Sequence, residues 1–348
     1  MGTVNRRPTG PEGPPQRRPG RAARRRTRRR PAPLPQREGL DAVRWRVPRD
    51  TTAGRGALEL LQERFPALAD PAATPLSARF AAGEIVDAAG RTWAAEDPAV
   101  PGEELWFHRE LRPEEVPEIE LPVLHRDKHL LVIDKPHDIA TMPRGAHILA
   151  SALVRLRRAT GIQSLVPLHR LDRRTAGVLA FGIRPEERSA YQQLFARREV
   201  DKAYEAVVAP APNSSLPRHP GQRCRLRDRL VTQRGALTTQ VLAGEPNAET
   251  ELEVLAADAA GVLRMGLWPR TGRTHQLRAQ LAARGAPILG EDLYWPPQRA
   301  RPSVDLWPED LSLQLLARRL AFVDPVTAQR REFRSAQELR TTSRTLGR

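Results

Sequence analysis

His169-Arg170-Leu171-Asp172-Arg173-Arg174-Thr175-Ala176-Gly177, followed at once by Val178-Leu179-Ala180-Phe181, is the densest cluster of chemistry-bearing residue types in the chain. The apolar run reads as a buried strand and the polar residues before it as the turn that delivers it. A carboxylate among three arginines has its ionised form favoured. A charged, positioned carboxylate serves as a nucleophile or a base. On residue types alone, the plainer reading of Asp172 is a turn residue paired with its neighbours.

Two further stretches stand out. Pro269-Arg270-Thr271-Gly272-Arg273-Thr274-His275-Gln276-Leu277-Arg278 joins a Thr271-Gly272 turn to a helix start. Thr274 is its expected N-cap, and Arg273 lies beside a helix N-terminus, a place that attracts phosphate or carboxylate. Val200-Asp201-Lys202-Ala203-Tyr204 sets Lys202 and Tyr204 at strand spacing, where Tyr204 equally fits a half-buried core aromatic.

Working outward, the chain from about 119 is mixed α and β. Leu130–Ile133, Val178–Ile183, Lys202–Val208, Thr250–Leu255 and Val262–Leu267 are expected as strands, and 150–158, 185–196 and 274–284 as helices. A strongly basic loop is expected over 211–235. Upstream, 55–110 reads as a small domain of two helices (Leu58 to Phe65, Ala78–Ala82), a hairpin turning at Ala88-Ala89-Gly90, and a third strand over Glu104–His108. Residues 111–118 read as a linker. Residues 1–38 hold twelve arginines, two glutamates and eight prolines, so they are expected to be a disordered tail suited to phosphates.

That tail carries most of the chain's net charge of +16. The single cysteine, Cys224, excludes an internal disulfide or a cysteine-type zinc site. No apolar run is long enough for a membrane span, and the Arg-rich start lacks a signal-peptide core. The expected compartment is the cytosol and the expected partner is nucleic acid. No phosphate-binding glycine loop is present, which argues against a nucleotide cofactor. All but three of the 57 basic residues are Arg; the lysines are Lys128, Lys135 and Lys202, and the tyrosines Tyr191, Tyr204 and Tyr294. In a chain so biased, a retained Lys or Tyr is a weak pointer to function.

Taken in order, these stretches resemble the RluA family of pseudouridine synthases. The likeness rests on His169-Arg170-Leu171-Asp172 with Thr175 and Gly177, on Lys202-x-Tyr204, and on Gly272-Arg273-Thr274-His275-Gln276-x-Arg278. Leu130 to Pro136, Asn247 to Thr250, Gly285 to Tyr294 and Leu313 to Pro325 extend it over roughly 119–335. Ala176 departs from the Ser often found there, and the basic 211–235 stretch is unusual. More weakly, Ala82 to Asp87 with Gly90 resembles the small RNA-binding domain that often precedes this catalytic domain.

The resemblance implies an α+β fold: a catalytic domain over 119–340 with a central mixed, mainly antiparallel sheet flanked by helices, preceded by a small α+β domain and the tail. It implies isomerisation of a uridine within RNA: the N1 glycosidic bond breaks, the base rotates, and C5 joins C1′, with no cofactor or metal. Asp172 is then the essential carboxylate, acting on a carbon or on a sugar proton. Tyr204 stacks on the flipped base and helps remove the C5 proton, and Arg273 pairs with Asp172. His169, Arg170, Leu171, Thr175, Lys202, His275, Gln276 and Arg278 are expected around the RNA, and Leu277 and Leu320 as core or wall. Ribosomal RNA is the preferred substrate and transfer RNA the alternative, with no membrane and no obligate protein partner. The competing classes are a non-catalytic RNA-binding or assembly factor, and a glycoside hydrolase, which needs opposed carboxylates where the motifs supply one Asp.

Overall fold

The computed structural model describes residues 32–52, 54–296 and 310–340. Most of the expected tail, 1–31, lies outside them. Residues 32–40 lie against the body: the Pro35 carbonyl meets His108 Nε2 at 2.8 Å, and Gln36 Nε2 donates to the Gln163 carbonyl at 2.8 Å. The end of that stretch is therefore held rather than loose.

A small unit comes first. Strands β1 (Val43–Arg46) and β2 (Glu104–Phe107) pair antiparallel. Helices α1 (Ala57–Arg64) and α2 (Leu76–Ala81) pack Leu60, Leu61 and Phe80 with Trp45, Ile85 and Phe107 in a core of their own. The hairpin expected at Ala88-Ala89-Gly90 is a tight turn with a single bridge, Val86 to Thr92. The 111–118 stretch is irregular but anchored, because Glu114 accepts the N–H groups of Ile148, Leu149 and Ala150.

The remaining elements are β3 (Val123–Arg126), β4 (Leu130–Lys135), α3 (Ala152–Thr160), β5 (Val166–Pro167), β6 (Ala176–Gly182), α4 (Arg188–Arg197), β7 (Val200–Val208), β8 (Arg223–Val231), β9 (Gln240–Leu242), β10 (Ala248–Ala257), β11 (Leu263–Pro269), α5 (Gln276–Ala282), β12 (Leu315–Val323) and β13 (Arg330–Arg334). Among the described residues they form one eleven-stranded sheet in the order β3-β4-β6-β12-β7-β11-β10-β8-β9, with β13 on β12 and β5 on β6. The β6–β12 pairing is parallel and the others antiparallel, so the sheet is mixed and mainly antiparallel as expected.

β6 and the first four residues of β4 are apolar because both their faces are covered. Leu131, Ile133, Leu179 and Phe181 meet α3, whereas Leu130, Val132, Val178 and Ala180 meet Tyr191 and Leu194 of α4. At the other end α5 lays Leu277 and Leu281 on Leu226, Leu252 and Leu267. The centre of the expected basic loop is β8, a correction with a simple cause: Arg223, Arg225, Arg227 and Arg229 alternate with Cys224, Leu226, Asp228 and Leu230, the period of a strand with one face turned inward. The α5 helix is also shorter than expected. His275, in the left-handed region at φ +49°, takes the N-cap position instead of Thr274.

Where β6 and β12 run parallel, Gly177 (φ +112°) lies directly against the Ala317 backbone, and an added Cβ would collide with the Ala317 carbonyl. Gly177→Ala should therefore lower stability by at least about 2 kcal/mol, measured by chemical denaturation; an unchanged midpoint would show that the two strands can separate freely.

Candidate active site

The turn between β5 and β6 is fastened before any side chain is considered. Thr175 N–H donates to the Asp172 carbonyl at 3.1 Å. Thr141 Oγ1 donates to the Leu171 carbonyl at 2.7 Å and accepts Leu171 N–H at 3.1 Å. The fully buried Lys135 Nζ donates to the carbonyls of Pro136, Ile139 and Arg173 at 2.9, 2.8 and 3.1 Å. The result is a rigid backbone that presents the Asp172 carboxylate, about one-third exposed, to a cleft of about 1350 Å³.

Tyr204 of β7 enters the same cleft where two core clusters meet. Burial pushes its phenol pKa well above the ordinary value, and the charge of Asp172 adds to this. Both effects favour the protonated phenol.

Arg273 does not reach Asp172. No ion pair joins them, and Arg273 Nε donates instead to the Asn247 carbonyl at 3.2 Å. The physical reason lies in the turn before α5, where Gln276 Oε1 accepts Arg273 N–H at 3.1 Å and turns that residue toward Asn247. The arginine built into the site is Arg278, whose side chain is 3% exposed. Its Nε donates to Glu291 Oε2 at 2.8 Å, its Nη2 to Glu291 and to Asp292 Oδ1 at 2.8 Å, and it lies 5.4 Å over the Tyr294 ring. Burial opposes its charge, but the hydrogen bonds and charge of Glu291, with the charges of Asp172 and Asp292, raise its pKa. Asp292 also takes Arg174 at 3.1 Å, so one carboxylate ties the Asp172 turn to α5.

Several expected RNA contacts are structural. The His169 ring stacks on Phe195 at 5.1 Å, and its Nε2 accepts Ala180 N–H at 3.2 Å. Burial, helped by the Lys202 charge, pulls its pKa down to about 3, so it offers no cation to a phosphate. Leu171 packs in the core beneath the turn, and Thr175 is buried closing it. Gln276 is fully occupied: its Oε1 accepts Thr271 Oγ1 at 2.8 Å as well as Arg273 N–H, and its Nε2 donates to the Glu249 carbonyl and Thr250 Oγ1. Arg170 is exposed at the cleft, and Lys202 Nζ reaches the Thr271 carbonyl at 3.4 Å. His275 comes closest to the carboxylate, with Nε2 at 3.8 Å from Asp172 Oδ1. Sequence reasoning missed Thr141, which carries no signal, and Glu291 and Asp292, which lie in a matched stretch without an assigned role. Tyr294 was visible as a rare residue type at the end of a matched stretch, without an assigned role.

Residues 129–283 match the family described as RNA pseudouridylate synthase. The dual-specificity RNA pseudouridine synthase RluA of Pasteurella multocida is 33% identical over 218 residues, covering 60% of this chain and 90% of that protein. The chain belongs to the RluA family of pseudouridine synthases. Membership makes it an isomerase that forms pseudouridine in RNA, and sets aside the hydrolase and non-catalytic readings. Other members differ in the RNA they are named for. The ribosomal large subunit pseudouridine synthase D of Xylella fastidiosa is 29% identical, covering 70% of this chain and 72% of its own. The tRNA pseudouridine synthase C of Vibrio cholerae is 30% identical, covering 60% and 88%. Among the described residues no helix is long and apolar enough to cross a membrane.

The depressed His169 pKa fixes a stability trend. The unfolded imidazole takes its proton near 6.5, while the folded one stays neutral down to about 3. The unfolded state thus binds more protons in that window, and stability falls as pH drops through it. His169→Gln should flatten the fall in thermal midpoint between pH 6.5 and 4; an unaltered slope would place that titration elsewhere.

Proposed function

We propose that this synthase modifies a uridine in ribosomal RNA, with Asp172 as the catalytic carboxylate, Tyr204 as the face on which the flipped base stacks, and Arg278 in place of Arg273 as the arginine of the site. The observation that carries this reading is convergence. Residues 172, 204 and 278, on three separate elements, line one cleft, and the charge of Asp172 bears on both Tyr204 and Arg278. A protonated phenol suits stacking and hydrogen-bond donation. Extruding the base from its stack costs roughly a few kcal/mol, and the exposed Arg170 is positioned to hold the opened backbone.

The preference for a large, structured RNA is supported by the outer face of β8. There Arg223 pairs with Glu253 at 2.7 Å, Arg225 with Glu249, and Arg270 with Glu251 at 3.2 Å. Among the described residues Arg227, Arg229 and Arg273 have no carboxylate partner. They extend the cationic surface along the sheet, the arrangement that positions a phosphate backbone without reading its sequence. Residues 55–110, with a separate core, are proposed to add RNA contact of their own. Transfer RNA remains the alternative substrate, favoured by the name of the Vibrio relative.

Asp172→Asn should abolish pseudouridine formation while leaving RNA affinity nearly unchanged; retained turnover would sink the assignment. Pseudouridine mapping in cells lacking the gene should show a lost site in ribosomal RNA, restored by wild-type protein and not by Asp172→Asn. A site lost from transfer RNA instead would reverse the substrate choice. Truncation after Pro31 removes eleven arginines and should reduce the salt dependence of RNA binding; an unchanged slope would show that the tail makes no phosphate contacts.

A further inference from the structure

Thr239 N–H donates to Tyr294 Oη at 2.7 Å. An amide N–H can only donate, so the hydroxyl accepts there and keeps its own proton for another partner. His275 Nδ1, 2.9 Å away, is within reach as the acceptor of that proton. A ring nitrogen that accepts carries no proton, so this pairing would put the neutral imidazole's proton on Nε2. Nε2 is the atom that faces Asp172 Oδ1 at 3.8 Å. Among the described residues His275 is the one side chain within ion-pair distance of that carboxylate.

Each link is held by something else. Thr239 Oγ1 donates to the Thr274 carbonyl at 3.0 Å, so it accepts from Thr232 Oγ1 at 2.6 Å. The His275 ring meets the Tyr294 ring edge to face at 5.7 Å, and its left-handed backbone fixes where it starts α5. The charged groups bearing on the ring are Asp172 from the turn before β6, Arg278 from α5, and Glu291 and Asp292 from the segment after it. Burial disfavours the imidazolium, which keeps the ring in the neutral form that has a defined tautomer.

We propose that Thr239, Tyr294 and His275 form a positioning chain that aims an Nε2–H at Asp172 Oδ1 and so leaves Oδ2 to face the uridine. The chain rests on Asp172 being the catalytic carboxylate. Its last contact is longer than a hydrogen bond, as catalytic contacts commonly are before substrate closes the site. None of the three residues touches the reacting atoms; they decide which carboxylate oxygen is free and how it points.

The test uses the full chain with ¹⁵N-labelled histidine. Two-bond proton–nitrogen spectra at neutral pH should show the His275 signals, identified by their loss in His275→Gln, as the Nε2–H tautomer. Tyr294→Phe keeps the ring contacts to His275 and Arg278 but deletes the hydroxyl. It should give mixed tautomers and a kcat lower by roughly 10–100-fold, by analogy with the loss of an outer partner of a metal-ligating imidazole, with KM unchanged. His275→Leu should lower the single-turnover rate by about 10²-fold. His275→Gln, which keeps an N–H donor near the same place, should recover most of that loss. A His275 Nδ1–H tautomer, or a wild-type rate for His275→Leu while Asp172→Asn is inactive, overturns the chain and leaves Asp172 standing. An active Asp172→Asn overturns the catalytic reading beneath it, whatever the tautomer.

Discussion

The three hydrogens of the buried Lys135 ammonium end on the carbonyl oxygens of Pro136, Ile139 and Arg173. This clamp joins the end of β4, the loop after it and the turn that carries Asp172. Burial pulls the Lys135 pKa down to about 7, against the opposing charges of Asp138 and Asp172. Without its carbonyl partners a charge so enclosed would be far more costly. From this point the order of the site propagates: Thr141 fixes Leu171, the turn directs Arg174 to Asp292, and Asp292 holds Arg278 of α5. Tyr204 and Arg278 thus sit on a strand and a packed helix, and the turn that carries Asp172 is braced against them, which holds geometry better than a free loop would.

The motif turn and the strand that follows it were legible because β6 is covered on both faces, and its seven residues are accordingly all apolar. β7, β10 and β11 were legible through alternation. The elements that escaped were those whose stability comes from partners. β13, Arg330-Arg331-Glu332-Phe333-Arg334, is mostly charged and exists because β12 offers it an edge. β1 has only four residues, two of them Arg. In β8 the arginines drowned out the apolar residues between them.

Within the site, Asp172 and Tyr204 could be placed from the ordered motifs, but pairings could not. Arg273 and Arg278 are both motif arginines five residues apart, and only the packing of α5 decides which one is buried. Gln276 and Thr175 read as substrate contacts because they are polar, yet the turns use them internally. Polarity in a motif marks the need for hydrogen bonds without saying whether backbone or ligand supplies them. The same holds for charge: Arg157 and Arg278 are buried and held by internal partners, whereas Arg227 on β8 is exposed.

β12 lies between β6 and β7, pairing Leu316 and Ala317 with Ala176 and Gly177 on one side and Leu315 with Ala206 on the other. Among the described residues, the half that holds Asp172 and the half that holds Tyr204 and Arg278 therefore share no hydrogen-bonded strand except β12, which follows both in sequence. On a translating ribosome both halves emerge well before residues 315–323. The two halves are joined through the sheet only when that strand inserts, after Asp172, Tyr204 and Arg278 have all been made.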